Sequence, residues 1–265
     1  AEGVALAAST DQGRIHAFDA ESGQPLWSFQ AGGRIDSPPT IHAGTALFGS
    51  ADGYVYCLRL ADGALAWRFL AAAADRRLVA EDRIESVWPV TGSVLVVDGT
   101  VYCTAGRSSY LDGGMILWAL DARTGAARMR RTLYDRDPET GAQPQERALD
   151  VELPGKLPDV LSFDGESLYL RDVRMNLEGE ELPPEKPHLY SSVGFLDGEW
   201  WHRTYLIFGT AMFGRASGWH IVGNMVPSGR AIVLDDETLF GYGQKRYSGS
   251  EQGTGGSAMQ FYKAS

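Results

Sequence analysis

Asp19-Ala20-Glu21-Ser22-Gly23-Gln24-Pro25-Leu26-Trp27 returns as Leu60-Ala61-Asp62-Gly63-Ala64-Leu65-Ala66-Trp67, and its turn returns once more as Asp121-Ala122-Arg123-Thr124-Gly125. The turn glycines Gly23, Gly63 and Gly125 stand 40 and then 62 residues apart. A second marker repeats beside the first: Gly33-Arg34-Ile35-Asp36-Ser37 comes back as Asp82-Arg83-Ile84-Glu85-Ser86. Relative to the first interval, 9 residues are added between Trp67 and Glu85, 6 between Glu85 and Thr100, and 7 between Thr100 and Gly125. The unit is kept while its connections grow, which is how loops and strands differ in their tolerance of insertion.

Within a unit the apolar runs are short. Thr45–Ser50, Tyr54–Leu60 and Leu65–Phe69 are parted by Ala51-Asp52-Gly53 and Ala61-Asp62-Gly63. Runs rich in Val, Tyr, Phe and Trp between Asp-Gly turns read as antiparallel hairpins. With the preceding Pro39–His42 run they make four strands per roughly 40 residues, the size of a propeller blade. The second half repeats less clearly. Val160–Phe163 and Ser167–Arg171 bracket Asp164-Gly165, and Ala231–Leu234 and Thr238–Gly241 bracket Asp235-Asp236-Glu237. Trp201–Gly209 reads as a further strand, and Tyr134–Pro158 and Asn176–Pro187 as long surface loops. The expectation is an all-β chain: a β-propeller, or a propeller segment, of about five four-stranded antiparallel blades, some partial. They fall near residues 1–33, 34–81, 82–134, 156–215 and 226–265 of a single domain, 1–265.

Composition agrees with this and removes some functions. The 265 residues are 44% hydrophobic, ample for a core and too many for a disordered chain. Gly accounts for 32 residues, as many tight turns require. Lys and Arg total 24 against 34 Asp and Glu, a formal charge of −10 with no basic block, so nucleic acid is not an expected partner. No apolar run approaches the ~18 residues that span a bilayer, so no transmembrane segment is expected. No signal-peptide pattern stands at the start, which reads as a targeting segment already removed. Cys57 and Cys103 lie in apolar strand-like runs and read as buried free thiols, with a disulfide between neighbouring strands as the other possibility.

The string Gly13-Arg14-Ile15-His16-Ala17-Phe18-Asp19-Ala20-Glu21-Ser22-Gly23, followed by Trp27, resembles the repeat of pyrroloquinoline-quinone-type propellers. Gly53-Tyr54-Val55-Tyr56-Cys57-Leu58 through Trp67 is similar to it too. The pattern also resembles the outer-membrane assembly propellers of the BamB type, most specifically over residues 3–133. Ala105–Gly114 and Trp200–Tyr205 are similar to large bacterial BamB-like proteins. The resemblance implies an eight-bladed ring when complete, a periplasmic or otherwise exported location, and Trp27 and Trp67 packed between blades with Met129 in the third such place. Val4–Ala8 opens without a first strand before it, and the Ala258–Lys263 run is a candidate to supply that strand and close a ring.

The resemblance admits two kinds of function. Quinone-dependent oxidoreductases of this repeat carry a vicinal disulfide and calcium ligands. This chain has no Cys-Cys pair, and no family metal site matches it, so no cofactor is expected. The reading favoured here is a non-catalytic binding or scaffold module for a protein or small polar ligand. The alternatives are such an oxidoreductase, or a remnant of one, and a propeller domain within a larger protein. Further blades, from the same gene product or another chain, are a possible partner.

Several residues invite a chemical reading. Asp135, Asp137, Glu139 and Glu146 fit positions of a calcium-loop template, but Thr140 replaces its glycine and Pro138 interrupts it, so a solvated acidic loop is expected. The five histidines show no H-x-x-x-H or H-E spacing. Arg34 with Asp36 and Arg83 with Glu85 are more informative. Residues two apart on an extended chain share a face, so each Arg is placed beside its acid, just before the innermost strand of its blade. Such pairs either line the rim of a central channel, where a polar ligand or peptide binds, or tie one blade to the next. Trp88 and Arg107 add a stacking surface there, and His202 and Arg203 complete the candidate rim.

Overall fold

The computed structural model describes residues 2–80, 82–143, 147–148, 151–152, 155–191, 194, 196, 206–210, 227–235, 238–243 and 260–264. Every regular element among them is a β-strand. They fall into two compact units. One holds Ala1–Pro144, Pro154–Leu168 and Leu177–Gly179, the other Gln145–Leu153, Tyr169–Asn176 and Glu180–Ser265.

The first unit is built from repeats of one antiparallel sheet. Strands β1 (Val4–Ser9), β2 (Arg14–Asp19) and β3 (Pro25–Gln30) form a three-stranded sheet. Strands β4 (Thr40–His42), β5 (Thr45–Gly49), β6 (Tyr54–Arg59) and β7 (Leu65–Leu70) form a four-stranded one. The extra residues after Trp67 make a separate hairpin of β8 (Arg77–Ala80) and β9 (Arg83–Ser86). A second four-stranded sheet follows, of β10 (Leu95–Val97), β11 (Thr100–Ala105), β12 (Met115–Asp121) and β13 (Ala127–Leu133).

Side-chain alternation explains the packing. On β5 and β6, Phe48, Tyr56 and Leu58 join one core with Ile15, Trp27 and Phe29 of the first sheet. The intervening Leu47, Val55 and Cys57 join another with Val101, Cys103 and Leu120 of the third. The middle sheet is therefore covered on both faces, and its strands read as continuous apolar runs. Both cysteines are free and buried.

The sheets are registered by one repeated device. Trp27, Trp67 and Met129 pair with Ala17, Cys57 and Ala119, each beside a bulge in the partner strand. The Trp27 indole N–H donates to the Leu60 carbonyl at 2.8 Å, and that of Trp67 to the Ala122 carbonyl at 3.1 Å. Each ring lies on a turn glycine. A Cβ at Gly63 would stand 2.5 Å from Trp27, and one at Gly125 2.7 Å from Trp67. The two tryptophans thus occupy equivalent environments. At the third junction the glycine in close contact, Gly179, meets Leu117 and Arg131.

The remaining strands are short. β14 (Arg147–Ala148) pairs with β15 (Val151–Glu152), and β16 (Leu161–Phe163), β17 (Leu168–Leu170) and β18 (Val173–Met175) form a sheet. In the second unit β19 (His188–Ser191), β20 (Leu206–Gly209) and β21 (Ser228–Gly229) form one sheet, and β22 (Ala231–Leu234), β23 (Leu239–Gly243) and β24 (Gln260–Ala264) another. Residues 156–215 therefore carry strands of two separate sheets. Within its own sheet β24 pairs with β23, and within its own β1 pairs with β2.

The acidic stretch after Tyr134 is exposed over residues 137–143, as a solvated loop requires, and it is locally ordered. Asp137 Oδ1 accepts the N–H groups of Glu139 and Thr140 and the Thr140 hydroxyl. Asp121 does the same for Arg123 and Thr124. Asp137-Pro138-Glu139-Thr140-Gly141 is another copy of the repeat turn, not a metal loop. Among the described residues no group of acidic, His or Cys side chains has a metal-binding arrangement. The polypeptide around it is tied back to the first unit. Asp135 bonds the Ser109 hydroxyl at 2.6 Å and the Lys156 ammonium at 2.5 Å.

Candidate functional site

Glycines at the end of β3 start the site. A Cβ at Gly32 would meet Asp52 Oδ2 at 2.4 Å, and one at Gly33 the Asp52 backbone nitrogen at 2.6 Å. Only glycine lets this connection run so close to the β5–β6 turn. Asp52 in turn accepts the Tyr56 hydroxyl at 2.5 Å, and burial pushes the Tyr56 phenol well above its ordinary value. The connection is fixed from behind before any charged side chain enters.

Arg34 follows. Its Nε lies 2.8 Å from Asp36 Oδ1, and its Nη1 3.2 Å from Glu85 Oε1. The second contact is a charge contact without hydrogen-bond alignment, since Glu85 Oε1 has no hydrogen-bond partner among the described residues. Glu85 Oε2 accepts Arg107 Nη2 at 2.9 Å, and Arg107 also reaches the Ser86 carbonyl at 3.2 Å. Glu85 is 1% exposed and Arg34, Asp36 and Arg107 are largely buried, so the four make a neutral, desolvated network. It joins the β3–β4 connection, β9 and the β11–β12 turn.

The second expected pair is a correction. Arg83 and Glu85 share a face of β9, as their spacing requires, but they do not pair with each other. Glu85 is taken by Arg34 and Arg107. Arg83 turns to the β1–β2 turn, where its Nη1 donates to the Asp11 carbonyl and its Nη2 lies 3.4 Å from Asp11 Oδ1. The contrast in solvation is large. Asp11 is 94% exposed and Arg83 39%. The segment holding Arg83 and Glu85 is also one strand of the β8–β9 hairpin, not a simple lead-in to an inner strand.

These residues border a cavity of about 190 Å³ lined by Gln12, Gly13, Gln30, Gly33, Arg34, Arg83, Ile84 and Glu85. Gln30 shapes one wall, its amide donating to the carbonyls of Gln12, Gly13 and Ala31. Trp88 lies elsewhere. It is buried, its indole N–H bonds the Asp112 carbonyl at 3.0 Å, and the Arg76 guanidinium sits 5.7 Å from its ring centroid. His202 and Arg203 lie outside the described residues. The structure thus brings Arg34, Asp36, Glu85 and Arg107 into one network and sets Arg83 at the cavity mouth.

Sequence reading missed the β8–β9 hairpin, the glutamine wall and Asp11. The hairpin had a signal: Leu78-Val79-Ala80 and Arg83-Ile84 flank Glu81-Asp82, two short runs around a two-residue turn. Asp11 had none, because its contact with Arg83 spans 72 residues.

The sequence pattern of the family described as outer membrane protein assembly factor BamB matches residues 1–152, more than half of the chain. No curated protein sequence matches. Among solved structures, the quinohemoprotein alcohol dehydrogenase from Comamonas testosteroni is similar, with 17% identity and a TM-score of 0.51 over 68% of this chain and 33% of that one. BamB from Moraxella catarrhalis aligns over 92% of this chain and 80% of its own, with 13% identity and a TM-score of 0.38. The chain spans about a third of the length of the dehydrogenase, and at this identity that likeness speaks to fold.

Proposed function

The chain belongs to the family of the outer membrane protein assembly factor BamB, a family of β-propeller repeats, and on that premise we propose that it is an exported binding module without a catalytic step. Its docking site, in this reading, is the cavity bordered by Arg34, Arg83, Ile84 and Glu85. One observation carries the proposal: turns and connections of successive sheets converge there, and their charges are divided into a locked set and an available one. Arg34, Asp36, Glu85 and Arg107 neutralise one another out of solvent. Among the described residues, Arg83 pairs with the exposed Asp11. Such a division gives a rigid floor and a cation that exchanges partners, which suits binding of a polar partner.

The test is photo-crosslinking in extracts of the source cells. A benzophenone side chain at position 84 is compared with one at Leu26, which is exposed on β3 away from the cavity. Capture of a discrete partner from position 84 alone supports the reading; equal capture from both positions refutes it. The oxidoreductase alternative has its own test. Pyrroloquinoline quinone with calcium is expected to give no dye-linked oxidation of alcohols or sugars, and turnover dependent on both additions would reverse the assignment. No helix among the described residues is long and apolar enough to cross a membrane.

A further inference from the structure

We propose that the cavity receives an extended peptide segment of a partner protein, that Arg83 binds an acidic side chain of that segment, and that Asp11 is an internal stand-in displaced by it. The inference rests on the binding-module reading and narrows it to one class of partner.

The argument begins with the register of the hairpin. Ala80 pairs with Arg83 across a two-residue turn, so that pair exchanges hydrogen bonds and Val79 with Ile84 is the next, non-bonded pair. Residues of the non-bonded pairs turn their backbone N–H and C=O outward. Ser86 has the same parity as Ile84, and its N–H does leave the hairpin, to the Ala51 carbonyl at 2.8 Å. Ile84 therefore offers an edge N–H and C=O on the side of β9 that borders the cavity. Gly13 and Gly33 also line the cavity, with their side-chain directions turned into the protein against the Gly33 carbonyl and the Asp52 nitrogen. An extended chain is the ligand that uses an open strand edge.

Side-chain chemistry specifies the segment further. Asp11 offers Arg83 a backbone carbonyl and a carboxylate together. That is the chemistry of an acidic residue within a peptide. An ion pair with one member 94% exposed is held weakly, so a better-placed carboxylate replaces it. The charges of the neighbouring cations Arg34 and Arg107 are already paired, with Asp36 and Glu85. Beside Arg83, Val79 and Ile84 face each other across the hairpin with 76% and 65% of their surface exposed. This apolar pair fits an aliphatic residue next to the acidic one.

The experiment uses two fluorescein-labelled decapeptides of alternating Thr and Val, one with a central Asp and one with Asn in its place. Fluorescence polarisation follows binding to the full chain at low salt. The Asp peptide is expected to bind about tenfold more tightly than the Asn peptide, as a charge-assisted contact requires. Arg83→Gln erases that preference while Arg83→Lys keeps part of it. Asp11→Asn tightens the Asp peptide several-fold by removing the competitor. Val79→Ser with Ile84→Ser weakens both peptides alike. Equal affinity for the two peptides, or an Asp11→Asn protein that binds no more tightly, overturns the proposal. If neither peptide binds yet position 84 still crosslinks a partner, the peptide assignment falls and the binding module stands. If crosslinking fails as well, both fall.

Discussion

Replacing Gly63 by alanine places a methyl group 2.5 Å from Cε3 of Trp27, inside the contact that registers the second sheet on the first. Two costs are combined in that change. One is local: φ is +70° at Gly63, a left-handed conformation that costs an L-residue about 1–2 kcal/mol. The other is the clash with a ring that is held by its N–H bond to Leu60 and cannot swing away freely. Forcing an extra methyl into a packed contact costs about 1–3 kcal/mol, so Gly63→Ala should lose about 2–5 kcal/mol in total. The chain contains its own control. Gly23 occupies the same turn of the preceding repeat with the same φ of +70°, and a Cβ there meets nothing within 4 Å. Gly23→Ala should therefore cost the backbone part alone. Urea unfolding of the full chain reads both, with the midpoint compared at constant slope. In a Trp27→Ala background, Gly63→Ala should fall to the cost of Gly23→Ala. Equal losses for Gly23→Ala and Gly63→Ala in the parent protein would refute the docking argument, because the tryptophan would then contribute nothing to the glycine requirement.

Glu85→Gln leaves Arg34 and Arg107 without their shared counter-charge and should cost about 3–5 kcal/mol, while Asp36→Asn, which leaves Arg34 still facing Glu85, should cost less in the same urea assay. Burial pushes the Cys103 thiol up from 9.0 to about 12. The unfolded chain then releases that proton first, so stability should fall between about pH 9 and pH 12, and Cys103→Ala should flatten the decline. Hydrogen bonds from the Thr124 hydroxyl and N–H hold the Asp121 carboxyl down at about 2. Its contribution is present above its unfolded value near 3.8 and is lost as pH falls towards 2, so Asp121→Asn should shallow the acid limb of a pH titration of stability.

The parts of the fold that were readable from sequence are those set by local chemistry. Gly23, Gly63 and Gly125 mark turns because left-handed backbone favours glycine, and the structure gives all three a φ near +70°. The Trp spacing was readable because the tryptophan and the glycine of the next unit meet through a fixed strand length. The Asp137 turn was equally local, and it was read as a solvated acidic loop without its repeat turn; Thr140-Gly141 after Asp137 was the signal for that turn. The candidate site was half readable. Residue spacing correctly put Arg34 beside Asp36 and placed Arg83 and Glu85 on one face of β9. It did not reveal which partner each would take. Glu85 chose Arg107, 22 residues on, and Arg83 chose Asp11, 72 residues back. Those choices depend on the angle between neighbouring sheets and on an inserted hairpin, neither of which leaves a pattern along the chain.

Glu85 shows why that insertion is an ordered hairpin rather than a slack loop. Burying a lone carboxylate costs several kcal/mol, and even two well-placed guanidiniums do little more than offset the loss. The network is thus a poor source of net stability. What it does supply is position. Glu85 roots β9 between the β3–β4 connection and the β11–β12 turn, and Ser86 adds a backbone bond to Ala51. Ile84 and Arg83, the two residues nearest that root, then sit on a backbone that is already in place. Ordering a flexible side chain on binding costs about 0.5–1.5 kcal/mol, and for a loop of this length such costs accumulate quickly. Anchoring the backbone of Arg83 and Ile84 through a buried charge would remove the loop's share of that cost for the proposed partner. A hairpin inserted without Glu85 would carry the same exposed Val79 and Ile84 but would have to be ordered by the partner. For this reason Glu85→Gln should weaken peptide binding even where the protein remains folded.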